Sequence, residues 1–116
     1  MSVRHNIVVE QGATFTLNAT WQAADGTPVD LTGYSARMQA RQTYASTTAV
    51  LNLTNAGGNI TLGGTAGTVV VTVSATATAA LTAPWSGVYD LELASAGGVV
   101  TRLLEGSLRV TPEVTR

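Results

Sequence analysis

Apolar and polar residues alternate along most of this chain, and a period of two is the mark of a strand with one buried face. From Ala13 to Gln22, Phe15, Leu17, Ala19 and Trp21 point one way, and Thr14, Thr16, Asn18 and Thr20 the other. Tyr34, Ala36, Met38 and Ala40 form a second apolar row, with Ser35, Arg37, Gln39 and Arg41 opposite. Val69, Val71 and Val73 share a face within Thr68 to Val73, as do Tyr89, Leu91 and Leu93 within Gly87 to Ala94, where Asp90 and Glu92 point outward. Shorter strands are expected at Ile7 to Glu10, Val50 to Thr54 and Asn59 to Leu62. A long one runs from Val99 to about Thr111, where Gly106 is expected to mark a bulge.

Turn chemistry separates these runs. Asp25-Gly26 and Thr27-Pro28 punctuate a loop, with Asp30 expected to cap the backbone that follows it. Asn55-Ala56-Gly57-Gly58, Gly63-Gly64-Thr65-Ala66-Gly67 and Ser95-Ala96-Gly97-Gly98 are further turns, the last a hairpin. Thr43 to Thr48 is a small, polar connection. The alternation fails only between 74 and 82. There Ser74 is a plausible N-cap, the next residues are alanine-rich, and Pro84 ends the segment. One short helix is expected.

Seven to eight short strands at regular spacing predict an all-β fold: a two-sheet antiparallel β-sandwich of immunoglobulin-like architecture. A small closed barrel is the alternative. The 116 residues set one domain over 1–116, with flexible arms expected at 1–6 and 112–116. A chain of this mass exposes roughly 6,000 Å² folded against roughly 17,000 Å² unfolded, enough burial for one core.

Composition sharpens this picture. Charged residues are 11% of the chain, where about 25% is usual. All six cationic side chains are arginine, and the net charge is -1. So little charge gives scant protection against association, which points to a surface covered by partners. The balance gives no electrostatic footprint for nucleic acid or an anionic membrane. No run reaches 18 apolar residues, and the first residues lack the apolar core of a signal peptide. Synthesis in a cytoplasm, without export by that route, is expected. Without cysteine there is neither disulfide nor thiolate metal site.

No constellation for catalysis is legible. His5 is the single histidine, near the N-terminus, without a nucleophile and orienting carboxylate in view. Asp25 and Asp30 are a weak match to a calcium loop and a good match to turns. The paired glycines Gly57-Gly58, Gly63-Gly64 and Gly97-Gly98 lie between strands, not between a strand and a helix with a lysine, so they are read as hairpin turns rather than phosphate loops. Arg37 and Arg41 share one outer face with the potential to pair with Asp90 and Glu92, and Arg102 lies beyond the hairpin. This face is read as ion-paired or as a docking surface. Trp85, just after Pro84, is read as cover for one end of the core, with carbohydrate stacking as the alternative. Arg37, Arg41, Arg102 and Trp85 are the candidate interface residues; no catalytic residue, cofactor or metal is assigned.

The run Asp25-Gly26-Thr27-Pro28-Val29-Asp30-Leu31-Thr32-Gly33 before a strand resembles the N-terminal immunoglobulin-like domain of phage upper-baseplate proteins and related small tailed-phage or prophage virion proteins. The strand opening with Phe15, the Gly87-Val88-Tyr89-Asp90-Leu91 run and the terminal Gly106-Ser107-Leu108-Arg109-Val110 run agree with it. The resemblance implies a non-enzymatic structural adaptor in a virion, at tail or baseplate, made in a bacterial host cytoplasm. Its partners would be other virion proteins and further copies of itself in a symmetric assembly, with neither nucleic acid nor membrane. The helical region that follows this domain in upper-baseplate proteins has no counterpart before Arg116, so a self-contained fitting on tail, baseplate or head is expected. A host-surface binding module, for a glycan or a protein, is the alternative, as is a head decoration or head–tail fitting.

Overall fold

The computed structural model describes residues 3–114. In chain order the strands are β1 (Val3–Arg4), β2 (Ile7–Glu10), β3 (Phe15–Thr20), β4 (Ser35–Arg41), β5 (Leu51–Thr54), β6 (Ile60–Leu62), β7 (Thr68–Val73), β8 (Trp85–Ala94) and β9 (Val100–Thr111). One helix, α1 (Ala75–Ala79), and a 3-10 turn at Gly64–Ala66 complete the set among the described residues.

The strands form two sheets. The larger runs β1-β9-β8-β4-β5, with β2 also on β9; the smaller runs β3-β7-β6. Setting β3-β7-β6 against β9-β8-β4, with β5 added at the edge, gives the strand arrangement of an immunoglobulin-like sandwich. The rows read from alternation are the core. Met38, Ala40, Leu91, Leu93 and Val69 are fully buried, Val71 and Val73 nearly so, and Leu31 plugs the loop end. Apolar side chains from the facing sheets therefore fill one interior, the arrangement that stabilises any sandwich.

Three features differ from the sequence expectation. First, the larger sheet is mixed: β1 and β2 both run parallel to β9. The N-terminal segment expected as an arm is thus a strand from Val3 onward. Ile7 and Val9 are buried while Val8 is exposed, so docking satisfies both its apolar row and the backbone of β9. At the other end Glu113 N–H donates to Gln11 Oε1 at 3.1 Å. Residues 1, 2, 115 and 116 of the expected arms lie outside the described residues.

Second, the bulge is not at Gly106. The register of β9 against β8 shifts between Leu91 and Glu92, which pair with Leu104 and Arg102, leaving Leu103 as the extra residue. Gly106 has a different task. A Cβ there would come within 2.5 Å of the His5 carbonyl oxygen and 2.9 Å of Asn6 Oδ1, so its missing side chain admits the link between β1 and β2. Third, Gly57-Gly58 does not close a hairpin between β5 and β6. β5 pairs with β4 and β6 with β7, so Asn55 to Asn59 carries the chain from one sheet to the other.

Helix α1 begins as its sequence indicates: Ser74 Oγ accepts from Ala77 N–H at 3.2 Å. Buried Thr78 ties it to the turn before β3. Its hydroxyl lies 2.8 Å from Ala13 O as donor and accepts from Gly12 N–H at 3.1 Å. The Ala83–Pro84 bond leading to β8 is cis.

Candidate functional site: the charged face of the larger sheet

The outer face of the larger sheet gathers most of the chain's charge. Its three central strands, β9, β8 and β4, place Arg37 opposite Glu92, Gln39 opposite Asp90, Asp90 opposite Glu105, and Glu92 opposite Arg102. Arg37 grips Glu92 Oε1 through Nε and Nη2, each at 3.1 Å. Arg102 lies between two carboxylates, with Nε 3.5 Å from Asp90 Oδ2 and Nη1 3.2 Å from Glu105 Oε1. Arg41 engages neutral groups. Its Nη1 donates to Ser46 O at 3.0 Å and its Nη2 to Gln39 Oε1 at 2.9 Å. Gln39 in turn donates to Asn52 Oδ1 at 3.3 Å.

The Leu103 bulge makes this network. In an uninterrupted strand, residues 102 and 105 point to opposite faces. The extra residue turns Leu103 and Leu104 both into the core, 6% and 8% exposed, and leaves Arg102 and Glu105 together outside. The signal was present in the sequence as two adjacent leucines inside an alternating strand.

Electrostatics follow from these positions. Burial pushes the Asp90 carboxyl above its ordinary value, Glu92 adds to the rise, Arg102 and Arg37 oppose it, and Glu105 adds to it again. Beneath the charged layer Tyr89 points inward, and burial pushes its phenol up to about 12. Its hydroxyl donates to the His5 carbonyl oxygen, so it acts as a tie between β8 and the N-terminal segment. Above it lies an open depression of about 370 Å³, walled by Arg37, Arg41, Tyr44, Asp90 and Arg102 among others. Tyr44 is 76% exposed at its rim.

The structure brings three of the sequence-selected residues, Arg37, Arg41 and Arg102, to this one depression. Trp85 lies elsewhere. It pairs with Val110, is half-buried against the core, and lies over Gly87, where a Cβ would meet its ring at 2.5 Å. Two open depressions border it, one with Pro84, Arg109 and Pro112, the other with Gln42, Thr48 and Val50. The residue that sequence reasoning did not connect to this face is Glu105, whose place depends on the bulge.

Asp25 and Asp30 serve the loop that leads into β4. Asp25 Oδ1 accepts from Thr27 N–H at 3.0 Å; Asp30 Oδ1 accepts from Thr32 Oγ1 at 2.6 Å and Thr32 N–H at 3.0 Å. Those bonds hold both carboxyls below their ordinary value, through the Thr27 backbone first for Asp25 and the Thr32 hydroxyl first for Asp30. His5 uses its backbone, donating N–H to Glu105 O at 2.8 Å. Among the described residues no three or more His, Asp or Glu side chains converge in a metal-holding arrangement, and no helix is long and apolar enough to cross a membrane.

The chain matches no family model and no curated protein sequence.

Proposed function

We propose that this chain is a non-enzymatic structural protein of a phage or prophage virion, an adaptor at the tail or baseplate that works through protein–protein contacts. The observation that carries the reading is the Asp25 to Gly33 segment. Its residues are the ones by which the chain resembles upper-baseplate domains, and both aspartates are engaged in local turns. What that segment supports is a strand whose outer face bears Arg37 and Arg41. A rigid sandwich that offers surfaces in place of a catalytic constellation fits an adaptor. The low charge and the absence of lysine suit a part covered by neighbours in an assembly.

The test is mass spectrometry on gradient-purified particles from a lysogen or infected culture carrying this gene. The protein is expected in particles in a fixed ratio to other tail components, and immunogold label is expected at the tail or baseplate. Label on the head would move the protein to a head fitting. Its presence in lysate alone, never in particles, would overturn the proposal.

A further inference from the structure

The smaller sheet has an edge that the molecule leaves undefended. β7 lies between β6 and β3, and among the described residues no strand pairs with the far side of β3. Two hydrogen bonds fix which backbone groups face out. Trp21 N–H donates to Gly67 O at 2.9 Å, the next pair after Thr20 and Thr68, so Phe15, Leu17 and Ala19 exchange bonds with β7. Thr72 N–H donates to Asn59 O at 2.8 Å, so the even-numbered residues of β7 face β6, as that pattern requires. The N–H and C=O groups of Thr16, Asn18 and Thr20 therefore point away from the sheet, and all three residues are exposed.

Free edges are normally guarded by charge, proline, a bulge or brevity. The other edges have such guards. β5 has four residues and β6 has three. The β1–β2 edge breaks at His5-Asn6 and carries Arg4 and Glu10. β3 has six residues with no charge, proline or bulge, and no charged residue occurs anywhere between Glu10 and Asp25.

We infer that this edge is a self-association site, and that its occupant is the β3 edge of a second copy, antiparallel about a two-fold axis at Asn18. The register is self-complementary. With Asn18 facing Asn18, Thr16 of each copy faces Thr20 of the other, and all three outward-facing residues exchange both backbone bonds in hydrogen-bonded pairs. On the outer side this aligns Thr with Thr, a favourable cross-strand pair. On the inner side Leu17 faces Ala19 and Phe15 faces Trp21. Phe15, Ala19 and Trp21 are half-buried in one copy, so the second copy would cover apolar surface the first leaves open. With no charge on either strand, the two-fold brings no like charges together. The product is one continuous sheet, β6-β7-β3 joined to β3-β7-β6.

This deepens the assembly reading by naming an edge and an occupant. Its test uses purified protein alone, so its failure leaves the virion location to be decided by particle composition. Sedimentation equilibrium from micromolar to millimolar protein is expected to show a monomer–dimer equilibrium. Asn18→Lys places two cations in direct opposition at the axis, and Asn18→Asp two anions. Each variant alone is expected to lose the dimer while keeping its circular dichroism spectrum. An equimolar mixture is expected to restore a heterodimer. Amide exchange at Thr16, Asn18 and Thr20 is expected to slow as concentration rises, with Phe15, Leu17 and Ala19 protected throughout. A wild-type monomer across the whole range would overturn the inference. So would a dimer indifferent to Asn18→Lys, or single variants whose mixture stays monomeric.

Discussion

On the outside of the larger sheet, Arg37, Asp90, Glu92, Arg102 and Glu105 hold one another at 3.1 to 3.5 Å. On the outside of the smaller sheet, Thr16, Asn18, Thr20, Thr61, Val70 and Thr72 meet the solvent without a charge among them. Every charged residue that the structure places in a strand belongs to the larger sheet. The difference concerns what each surface has left to give. On the first, side chains already satisfy each other, and a partner must supply better bonds than those it displaces. On the second, side chains are nearly inert, and the unspent bonding capacity is backbone.

The comparison predicts different responses to perturbation. The largest effect belongs to the core that both faces share. Leu91→Ala, fully buried beneath the charged layer, is expected to cost about 2–5 kcal/mol in urea denaturation, by the same amount in low and high salt. A strong salt dependence of that loss would mean that the core and the charged layer are not separate.

Next comes Arg102→Met, which leaves Asp90 facing Glu105 without the cation between them. It is expected to cost up to about 1 kcal/mol in low salt and less as salt rises, since these pairs are partly exposed. Asp90 should then titrate still higher, which carboxyl NMR reads directly. On the other face, Thr72→Ala is expected to stay within about 0.5 kcal/mol of the parent at every salt concentration. Equal salt dependence for the two variants would erase the distinction.

Acid separates the charged face from the Asp25–Asp30 loop. Asp25 and Asp30 have folded values below the ordinary 3.8, so their contribution is present above 3.8 and is lost as pH falls through the folded values. Asp90 is raised, so its contribution is full below 3.8 and is lost as pH rises through its folded value. Urea midpoints against pH are expected to show a shallower acid-side fall in the Asp25→Asn/Asp30→Asn pair than in the parent. In Asp90→Asn they should lose the opposing trend just above 3.8. The opposite assignment of the two trends would reverse the picture of which carboxylates are held and which are crowded.

Much of this was legible because period two is a local signal. The valines of β7, the inward Tyr89, Leu91 and Leu93, and the outward Arg37, Arg41, Asp90 and Glu92 each follow from their immediate neighbours. Ser74 likewise announced its helix by composition alone. The ion pair of Arg37 with Glu92 was legible as a consequence of adjacent strands. Other features depend on residues far away in sequence. That Leu51 and Leu53 face the same core as Ile60 from a different sheet cannot be read from alternation, because either pairing buries the same residues. Gly106 was noticed and assigned the wrong role, since its reason is the chain passing at His5 and Asn6. The bulge sat three residues earlier, where Leu103-Leu104 breaks the alternation.

The parallel docking of β2 on β9 also bears on how the protein is made. Asn6 Oδ1 accepts from Ser107 N–H across 101 positions of sequence. As the chain leaves the ribosome, β9 emerges some ninety residues after β2, which meanwhile has its apolar row of Ile7 and Val9 uncovered. Closure of the larger sheet therefore waits for β9, and its long loop closure places this step among the slow ones. A nascent chain stalled before Val100 would still contain the whole of the smaller sheet, including the β3 edge, with no β9 to receive Ile7 and Val9. The interval before β9 arrives is when this sequence is most exposed to mispairing with its own kind.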